Sequence, residues 1–416
     1  MNLPQAFTDY TAALFGPQRW KRFVQAFEEP APVSIRLNPF KHIARPLFAH
    51  QMPVPWCQHG YWLSERPNFT LDPLFHAGVY YVQEAGSMFL EHVLRTCVQA
   101  PVTALDLCAA PGGKSTLLRA TLPEGSMLVS NEPDRRRANI LLENMLKQGH
   151  PGVLVTHNYA HEFAQTNLVF DVILTDVPCS GEGLFRRDVN AVDEWSLSAV
   201  RFCQERQRKI LSDIWPCLRT GGLLIYSTCT FNVHENEENV QWIRQELGAE
   251  IVPVNVPGTW QVTGSLLPGF DEPVYRFIPG ITKSEGLFMA VLRKTSDGPQ
   301  YATRPGSLRE QVKKFRQIHV LSNGIPAEEI KGKEKIPSAA QALSITCTAA
   351  DYPRAELTLE QAQRYLHRES LVLPPAAPRG FVVVTHQGYA LGFVKNLGDR
   401  ANNLYPKNWA IKKLHT

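Results

Sequence analysis

Short apolar runs alternate with helical stretches along the middle of the chain. Residues 103–108, 127–131 and 170–176 are apolar runs with the length of buried strands. Residues 134–149 lie between the second and third runs and have helical periodicity, with Gly149 in the position of a helix C-cap. This alternation predicts an α/β fold with a doubly wound, parallel sheet.

The same alternation continues toward residue 300. The pattern predicts a helix over residues 201–218, a turn at Gly221 and Gly222, and a strand over residues 222–230. A further apolar run at residues 286–294 has the composition of a last strand that completes the sheet.

Changes in composition divide the chain into four segments. The sheet-forming core is assigned to residues 96–296, after a small N-terminal α+β module in residues 1–95. Residues 297–340 are polar and charged, and we assign them to a linker and the start of the C-terminal region. Residues 341–416 are assigned to a small C-terminal domain, in which two short strands flank a His-Gln-Gly turn.

The composition indicates a folded protein with a sizeable core, but it does not indicate a particular function. With 44% hydrophobic residues the chain can bury a sizeable core, and its net charge of +4 neither requires nor opposes nucleic-acid binding. The 8 cysteines form no CxxC pair and no zinc-site spacing, which predicts a reducing compartment and no bound metal. The sequence shows no membrane-spanning stretch and no secretory signal, so we expect a cytoplasmic protein.

The first motif with chemical content is DLCAAPGGKS, at residues 106–115 between a predicted strand and a predicted helix. A phosphate-binding P-loop requires glycine five positions before its second glycine, and that position is Cys108, so the P-loop interpretation fails. A glycine-rich turn followed about 20 residues later by an acid, here Glu132, predicts instead a nucleoside site in which the acid bonds the ribose. NAD and S-adenosylmethionine both fit this pattern.

Two further motifs place a cysteine at the end of a predicted strand. TDVPCSGEG contains Asp176 and Cys179, and YSTCT contains Cys229. The Val-Pro step stiffens the chain just before Cys179. Because open α/β sheets collect reacting groups at the carboxyl ends of their strands, we expect the two thiols and the carboxylate to converge on one pocket.

The chemistry of pyrimidine methylation accounts for two thiols beside a nucleoside site. Carbon 5 of cytosine is a poor nucleophile, and a thiolate that adds at carbon 6 activates it by covalent catalysis. A base must then remove the carbon 5 proton so that the thiol can leave. Redox chemistry would instead need the cysteines close enough to form a disulfide, and metal binding would need more ligands.

The three motifs DLCAAPGGK, DVPCSGEG and YSTCT resemble, in order and spacing, those of the Sun/Fmu-type RNA cytosine-5 methyltransferases. SIRLNPFK, AGVYYVQEAGSM and EGLFMAVLRK extend the likeness, and LGFVKNLGDRANNLYPKNW is similar to the C-terminal domain of the bacterial RsmF-like rRNA branch. The resemblance implies a Rossmann-like methyltransferase core with a PUA-like RNA-binding domain. It also implies S-adenosylmethionine as the cofactor and RNA as the partner, with small-subunit (16S) rRNA as the expected substrate.

The resemblance also implies a role for each motif residue. Cys229 is expected to be the nucleophile, Cys179 to assist proton removal and product release, and Asp176 to hold N3 and N4 of the cytosine and approach the cofactor. Glu132 is expected on the cofactor's ribose, and Asn158 stands where the family has an aspartate on the adenine side. The other expected cofactor contacts are Cys108, Ala109, Ala110, Pro111, Gly112, Gly113 and Lys114.

Basic and aromatic residues outside the motifs give a second indication of RNA binding. Arg186 and Arg187 follow the Cys179 loop, and Tyr405 and Trp409 lie among lysines and arginines near the C-terminus. Such residues can hold phosphates and stack bases, although a solvated charged face is the alternative.

Three other functions remain open at this point. A tRNA cytosine-5 methyltransferase would carry the same pocket residues. A non-catalytic RNA-binding or ribosome-assembly factor on this fold would not need both Cys229 and Cys179. An NAD-dependent dehydrogenase would leave the two cysteines unexplained.

Overall fold

The chain folds around one large sheet that is flanked by the elements of its two ends. The computed structural model describes residues 3–41, 47–331 and 334–413. The N-terminal elements are α1 (Gln5–Ala26), β1 (Val33–Leu37), β2 (Met52–Pro53), β3 (Gly60–Leu63), α2 (Pro73–His76), β4 (Tyr80–Val82) and α3 (Phe89–Cys97). Their strands form an antiparallel sheet in the order β2-β3-β1-β4.

The central elements alternate between strands and helices, as the apolar pattern predicts. They are β5 (Thr103–Asp106), α4 (Gly113–Thr121), β6 (Met127–Asn131), α5 (Arg135–Gln148), β7 (Val153–Thr156), α6 (Ala160–Ala164), β8 (Phe170–Asp176), α7 (Val189–Asp193), α8 (Leu197–Ile214), β9 (Leu218–Thr228), α9 (Glu237–Trp242), β10 (Ala249–Ile251), β11 (Tyr275–Phe277) and β12 (Leu287–Lys294). Five strands are parallel, in the order β7-β6-β5-β8-β9. The chain changes direction across the sheet between β5 and β8, which is where such sheets bind ligands.

The edges of the central sheet are antiparallel. β12 pairs with β9 in the antiparallel sense, and β10 and β11 pair with β12 in the same way. The prediction of a parallel sheet is therefore confirmed for the five central strands and wrong for the edge. The chain returns from β9 to β12 through α9, β10 and β11 rather than through a single crossover helix, so no parallel geometry is imposed.

The C-terminal elements follow β12, and their strands contribute to three sheets. They are α10 (Pro305–Val312), β13 (Val320–Asn323), β14 (Glu328–Lys331), β15 (Glu334–Pro337), α11 (Ala339–Leu343), β16 (Arg354–Glu356), α12 (Leu359–Leu366), β17 (Gly380–His386), β18 (Tyr389–Asn396) and β19 (Ala401–Asn403). β13 joins the central sheet, β14 pairs with β15, and β16 to β19 form a sheet of their own. The sheet β16-β17-β18-β19 contains the predicted strand pair around the His-Gln-Gly turn.

Part of the segment assigned to a linker is built into the central sheet. β13 pairs with the edge strand β7, and Leu308 and Val312 of α10 are buried in the same core as the sheet. Likewise, α3 spans the boundary drawn between residues 95 and 96 and packs against the sheet. In the sequence, charged neighbours surround these few apolar positions and mask their pattern. The three boundaries between the four segments stay a prediction.

Two element boundaries of the central region differ from the predicted ones. Helix α8 begins earlier than expected, because the Ser196 side chain accepts a hydrogen bond from the Ala199 N–H and caps the helix there. The turn expected at the two glycines is wrong, because β9 runs through them from Leu218 with a shifted register against β8. Gly221 has φ +73° at this irregularity, a conformation that favours glycine.

The C-terminal domain packs on the N-terminal sheet and shares a core with it. Ile35 and Tyr80 of the N-terminal sheet lie in one apolar cluster with Tyr405 and Trp409. Tyr405 is only 1% exposed and Trp409 is 8% exposed. The expectation that these two aromatic side chains stack RNA bases is therefore wrong, since both are core residues. Among the described residues, no helix has the length and apolar character needed to cross a membrane.

A glycine at the end of α5 fixes how that helix meets the C-terminal region. Gly149 has φ +84°, and a Cβ there would overlap the carbonyl oxygen of Leu343. We expect Gly149→Ala to lower the free energy of unfolding by about 2–4 kcal/mol, from the left-handed backbone plus the clash. Gly125→Ala is the matched control, because Gly125 has φ +83° but its Cβ would meet only the Pro101 ring at 3.6 Å. Urea denaturation should show a clearly smaller loss for the control, and equal losses would contradict the packing argument.

Candidate functional site

Two cysteines and an aspartate lie just past the carboxyl ends of neighbouring strands. β8 ends at Asp176, and β9 ends one residue before Cys229. These strands pair in parallel, with Asp176 opposite Ser227. The loop after β8 brings Cys179 back over the end of β9, where its Sγ lies 3.0 Å from the Sγ of Cys229. The predicted convergence of the two thiols is confirmed.

A glycine allows this close approach of the two loops. Gly183 donates a backbone hydrogen bond of 2.8 Å to the carbonyl oxygen of Cys229. A Cβ on Gly183 would lie 2.8 Å from that same oxygen and 2.9 Å from the Cα of Gly286. Any side chain at this position would therefore push the Cys179 loop away from Cys229.

The surroundings of Cys179 favour its thiol form. The hydrogen bond with Cys229, followed by burial, raises the pKa of the Cys179 thiol well above its ordinary value. The Cys179 sulfur also accepts a hydrogen bond of 3.4 Å from the backbone N–H of Cys229. A protonated Cys179 can donate the hydrogen bond that joins the two sulfurs.

A lysine from the glycine-rich loop pairs with the aspartate beside the thiols. The Nζ of Lys114 lies 2.8 Å from Oδ2 of Asp176, and Ser227 donates a hydrogen bond of 2.7 Å to Oδ1. Burial alone would lower the pKa of Lys114, but the charge of Asp176 and then that of Cys229 raise it above its ordinary value. The lysine therefore stays a cation next to the thiols, where positive charge favours a thiolate. Sequence reasoning assigned Lys114 to the cofactor loop and missed this ion pair.

The glycine-rich loop is held against the ends of β6 and α5 by main-chain contacts. The N–H of Ala109 donates to the carbonyl of Asn131 at 2.8 Å, and that of Ala110 donates to the Glu132 carboxylate at 3.3 Å. Asn144 donates to the carbonyl of Pro111 at 2.8 Å. Gly112, with φ +115°, is the N-cap of α4. The loop is thus fixed before the N-terminus of α4, whose first backbone N–H groups can face a ligand.

Acidic side chains gather at the same edge of the sheet. Asp106, Glu132 and Asp176 stand at or next to the ends of β5, β6 and β8. Burial raises the pKa of Asp106 to about 7, and its Oδ1 has no hydrogen-bond partner among the described residues. Burial and then the neighbouring Glu132 also raise the pKa of the Cys108 thiol. An unpaired buried carboxylate oxygen within an acidic cluster fits a ligand that carries positive charge.

Asn158 does not offer its side chain to this edge. Its amide nitrogen donates to the carbonyl of Gln317 at 2.7 Å and to Glu162 at 3.2 Å. Its amide oxygen accepts the backbone N–H of His319 at 3.0 Å. The amide is already used to join the end of β7 to the segment before β13. The expected contact of the Asn158 side chain with a cofactor is therefore not supported by this geometry.

The arginines that follow the Cys179 loop have structural partners. Arg186 is buried, donates to Glu285 at 2.9 Å and also bonds the carbonyl of Glu29. Arg187 is 42% exposed and lies 4.0 Å from the same Glu285 carboxylate. The expectation of a phosphate contact is thus wrong for Arg186 and stays a prediction for Arg187.

Two buried glutamates next to the cysteines were missed from the sequence. Glu182 lies in the Cys179 loop and Glu235 follows Cys229, and both side chains are inside the protein. The only signal was the density of acids around the two motifs, which also fits a solvated helix start. Within residues 3–41, 47–331 and 334–413, no group of three or more His, Cys, Asp or Glu could hold a metal ion.

Three family models match consecutive parts of the chain. One described as the N-terminal domain of 16S rRNA methyltransferase RsmF matches residues 3–85. Another, described as 16S rRNA methyltransferase RsmB/F, matches residues 98–293. A third, described as the methyltransferase RsmF PUA domain, matches residues 352–411.

Full-length relatives and one solved structure are similar to the chain. A ribosomal RNA small subunit methyltransferase F from Aeromonas hydrophila is 30% identical and aligns over 97% of this chain and 97% of its own length. That of Shigella dysenteriae serotype 1 is 29% identical over 97% of this chain and 96% of its own. A methyltransferase homologue from Pyrococcus horikoshii has a solved structure with a TM-score of 0.56 and 26% identity, covering 70% of this chain and all of the other.

Proposed function

Because the chain belongs to the RsmB/F family of 16S rRNA methyltransferases, we propose that it methylates carbon 5 of a cytosine in small-subunit rRNA, with S-adenosylmethionine as methyl donor. The observation that carries the proposal is the 3.0 Å contact between the sulfurs of Cys179 and Cys229 beside the Lys114–Asp176 pair. Two facing thiols match a reaction that needs one nucleophile and one proton carrier.

The first step falls to Cys229. Its thiolate adds to carbon 6 of the cytosine, forming a carbon–sulfur bond and moving the electron pair of the 5,6 double bond onto carbon 5. The cation of Lys114 and the protonated Cys179 lower the cost of the negative charge in this step. Bound S-adenosylmethionine supplies the electrophilic methyl group that the activated carbon 5 takes up.

The second step falls to Cys179. After methyl transfer, carbon 5 carries both a hydrogen and the methyl group, and the hydrogen must leave as a proton. Cys179 first releases its own proton to solvent, and its thiolate then accepts the proton from carbon 5. The electron pair of the broken carbon–hydrogen bond re-forms the double bond and expels the Cys229 thiolate. The base must be within hydrogen-bond reach of the carbon that the nucleophile activates, and the contact between the sulfurs supports this assignment.

The remaining residues hold the two substrates. Asp176 is partly exposed, so its carboxylate has lone pairs left to accept a hydrogen bond from the N4 amino group of the cytosine. The acids Asp106 and Glu132 and the glycine-rich loop suit a cationic cofactor with ribose hydroxyls. A paired target base must be flipped out at a cost of a few kcal/mol, which contacts of the N-terminal and C-terminal parts with flanking RNA would offset.

The test is a methyl-transfer assay with three RNAs. Purified full-length protein is incubated with radiolabelled S-adenosylmethionine and with transcribed 16S rRNA, small subunits reconstituted from that rRNA, or transcribed tRNA. We expect label in at least one rRNA sample, and bisulfite sequencing should place it at carbon 5 of a cytosine. Label in tRNA alone would favour the tRNA enzyme, and RNA binding without any transfer would favour a non-catalytic factor. A cytoplasmic location stays a prediction.

A further inference from the structure

Two buried glutamates beside the thiols have no part in the chemistry described above. Glu182 is 1% exposed and Glu235 is completely buried. Glu182 follows Cys179 by three residues, and Glu235 follows Cys229 by six. Burying a carboxylate costs free energy unless hydrogen-bond donors surround it. The partners of these two side chains therefore show what the buried acids do.

The carboxylate of Glu182 binds the loop that carries the other cysteine. It accepts the backbone N–H groups of Phe231 at 2.6 Å and Asn232 at 3.0 Å. The indole N–H of Trp195 also donates to it at 3.0 Å. A side chain of the Cys179 loop therefore fixes the main chain that follows Cys229.

The carboxylate of Glu235, which follows Cys229, binds the loop that carries Cys179. It accepts the backbone N–H of Ser180, the residue next to Cys179, at 3.0 Å, and the side-chain amide of Gln207 at 2.7 Å. The amide nitrogen of Asn232 lies between both acids, 3.0 Å from Glu182 and 2.9 Å from Glu235. Each loop thus lends a carboxylate to the main chain of the other.

We propose that Glu182 and Glu235 form a reciprocal clasp between the two cysteine loops and are positioning residues for the proton removal by Cys179. This inference rests on the proposed function for its catalytic consequence only. The structural part of the proposal is that the clasp keeps the two sulfurs close together. The proximity of the sulfurs can be tested without RNA.

The two cysteines do not depend equally on the clasp. Cys229 directly follows β9, where Thr228 pairs with Phe288 of β12 and its hydroxyl donates to Asn236 at 2.6 Å. Cys179 lies in a loop, and the carboxylate of Glu235 holds the N–H of the next residue. Loss of that acceptor should therefore displace Cys179 more than Cys229, and the second step should suffer more than the first.

The nature of the partners predicts that an amide cannot replace either acid. Glu182 and Glu235 each accept hydrogen bonds from N–H groups, with no acceptor facing either carboxylate among these contacts. A glutamine would present an NH₂ group to a donor, which leaves buried groups unpaired. Burial raises the pKa of Glu235 to about 7, so the ionised fraction of this carboxyl group increases as the pH rises above neutral.

The test compares Glu235→Gln and Glu182→Gln with Glu238→Gln as the matched control. Glu238 lies three residues after Glu235, in the first turn of α9, and is a third exposed. It bonds His234 and Gln204 and, in the described part of the chain, no residue of the Cys179 loop. The first readout uses diamide, which accepts two electrons and two protons as the thiols of Cys179 and Cys229 form a disulfide. Mass spectrometry of the full-length protein then gives the rate of that disulfide. The second readout is turnover, KM for RNA and the fraction of protein covalently bound to RNA.

We expect the disulfide rate to fall roughly 10-fold or more in the two clasp variants, because a displacement near 1 Å costs about that much or more in a proximity-controlled reaction. Turnover should fall by a similar factor with KM for RNA changed less than about threefold, and covalent protein–RNA complex should accumulate. Glu238→Gln should match the wild type in every readout.

Wild-type disulfide rates and turnover in both clasp variants would overturn the proposal. If a glutamine variant does not fold, Glu235→Asp keeps the charge on a shorter side chain, and it should give an intermediate disulfide rate. A rate equal to the wild type in that variant would also count against the clasp. If the wild type transfers no methyl group but the disulfide rate still depends on Glu235, the proposed function fails and the clasp stands.

Discussion

Replacing Cys229 with alanine is expected to lower methyl transfer by about 10⁴-fold or more, since the substitution removes the group that activates carbon 5. That factor corresponds to about 5 kcal/mol of transition-state stabilisation. Binding of RNA should change little, because the side chain is small and the loop is held by its backbone, with Gly183 bonded to the Cys229 carbonyl. The measurement is initial-rate methyl transfer to the RNA that the wild type modifies, with RNA affinity measured in parallel.

Cys203→Ala is the control for the Cys229 experiment. Cys203 lies on α8 close to the site but makes no contact with the sulfur pair in the described hydrogen bonds. Its replacement should leave the rate within about threefold of the wild type, as for a substitution away from reacting groups. Full activity of the Cys229→Ala enzyme would exclude the nucleophile assignment, whatever the control shows.

Replacing Cys179 with alanine should have a different result, in which the protein becomes trapped on its RNA. Cys229 can still add to carbon 6 and the methyl group can still be transferred, but the carbon 5 proton then lacks its acceptor. The carbon–sulfur bond cannot be broken without loss of that proton, so a covalent complex accumulates. We expect a band that resists denaturation in gel electrophoresis and contains both labelled RNA and protein.

The matching control is the double variant with alanine at both cysteines, which should lose the covalent band. The two sulfurs lie 3.0 Å apart, so geometry alone allows either thiol to be the nucleophile. The experiment distinguishes the two roles. A covalent complex formed by the Cys229→Ala enzyme and absent from the Cys179→Ala enzyme would reverse the two assignments. Turnover of Cys179→Ala at the wild-type rate would remove Cys179 from the mechanism.

The strand and motif pattern of the sequence was sufficient to find the two cysteines. Both follow apolar runs that form β8 and β9, and the carboxyl ends of parallel strands lie at one edge of a sheet. This geometric rule needs only the order of the elements, which the spacing of apolar residues reveals. The convergence of the two cysteines therefore followed from local patterns together with one rule of topology.

Residues with more than one plausible environment were assigned less well. Tyr405 and Trp409 have lysines and arginines as sequence neighbours, yet they pack in the core between the N-terminal sheet and the C-terminal domain. Arg186 follows a catalytic loop, yet Glu285, nearly a hundred residues later, neutralises it. Charge and aromaticity are local properties, whereas burial depends on which distant segment covers the side chain.

The sequence by itself determined the alternation of strands and helices, the glycine-rich loop and the placing of two thiols and an acid at strand ends, because those features depend on short-range periodicity. Only the tertiary structure decided the antiparallel edge, the Lys114–Asp176 pair and the clasp of Glu182 and Glu235. Each of these joins residues about 50 or more positions apart in the chain. Their partners are selected by packing of whole elements, which short-range periodicity does not specify.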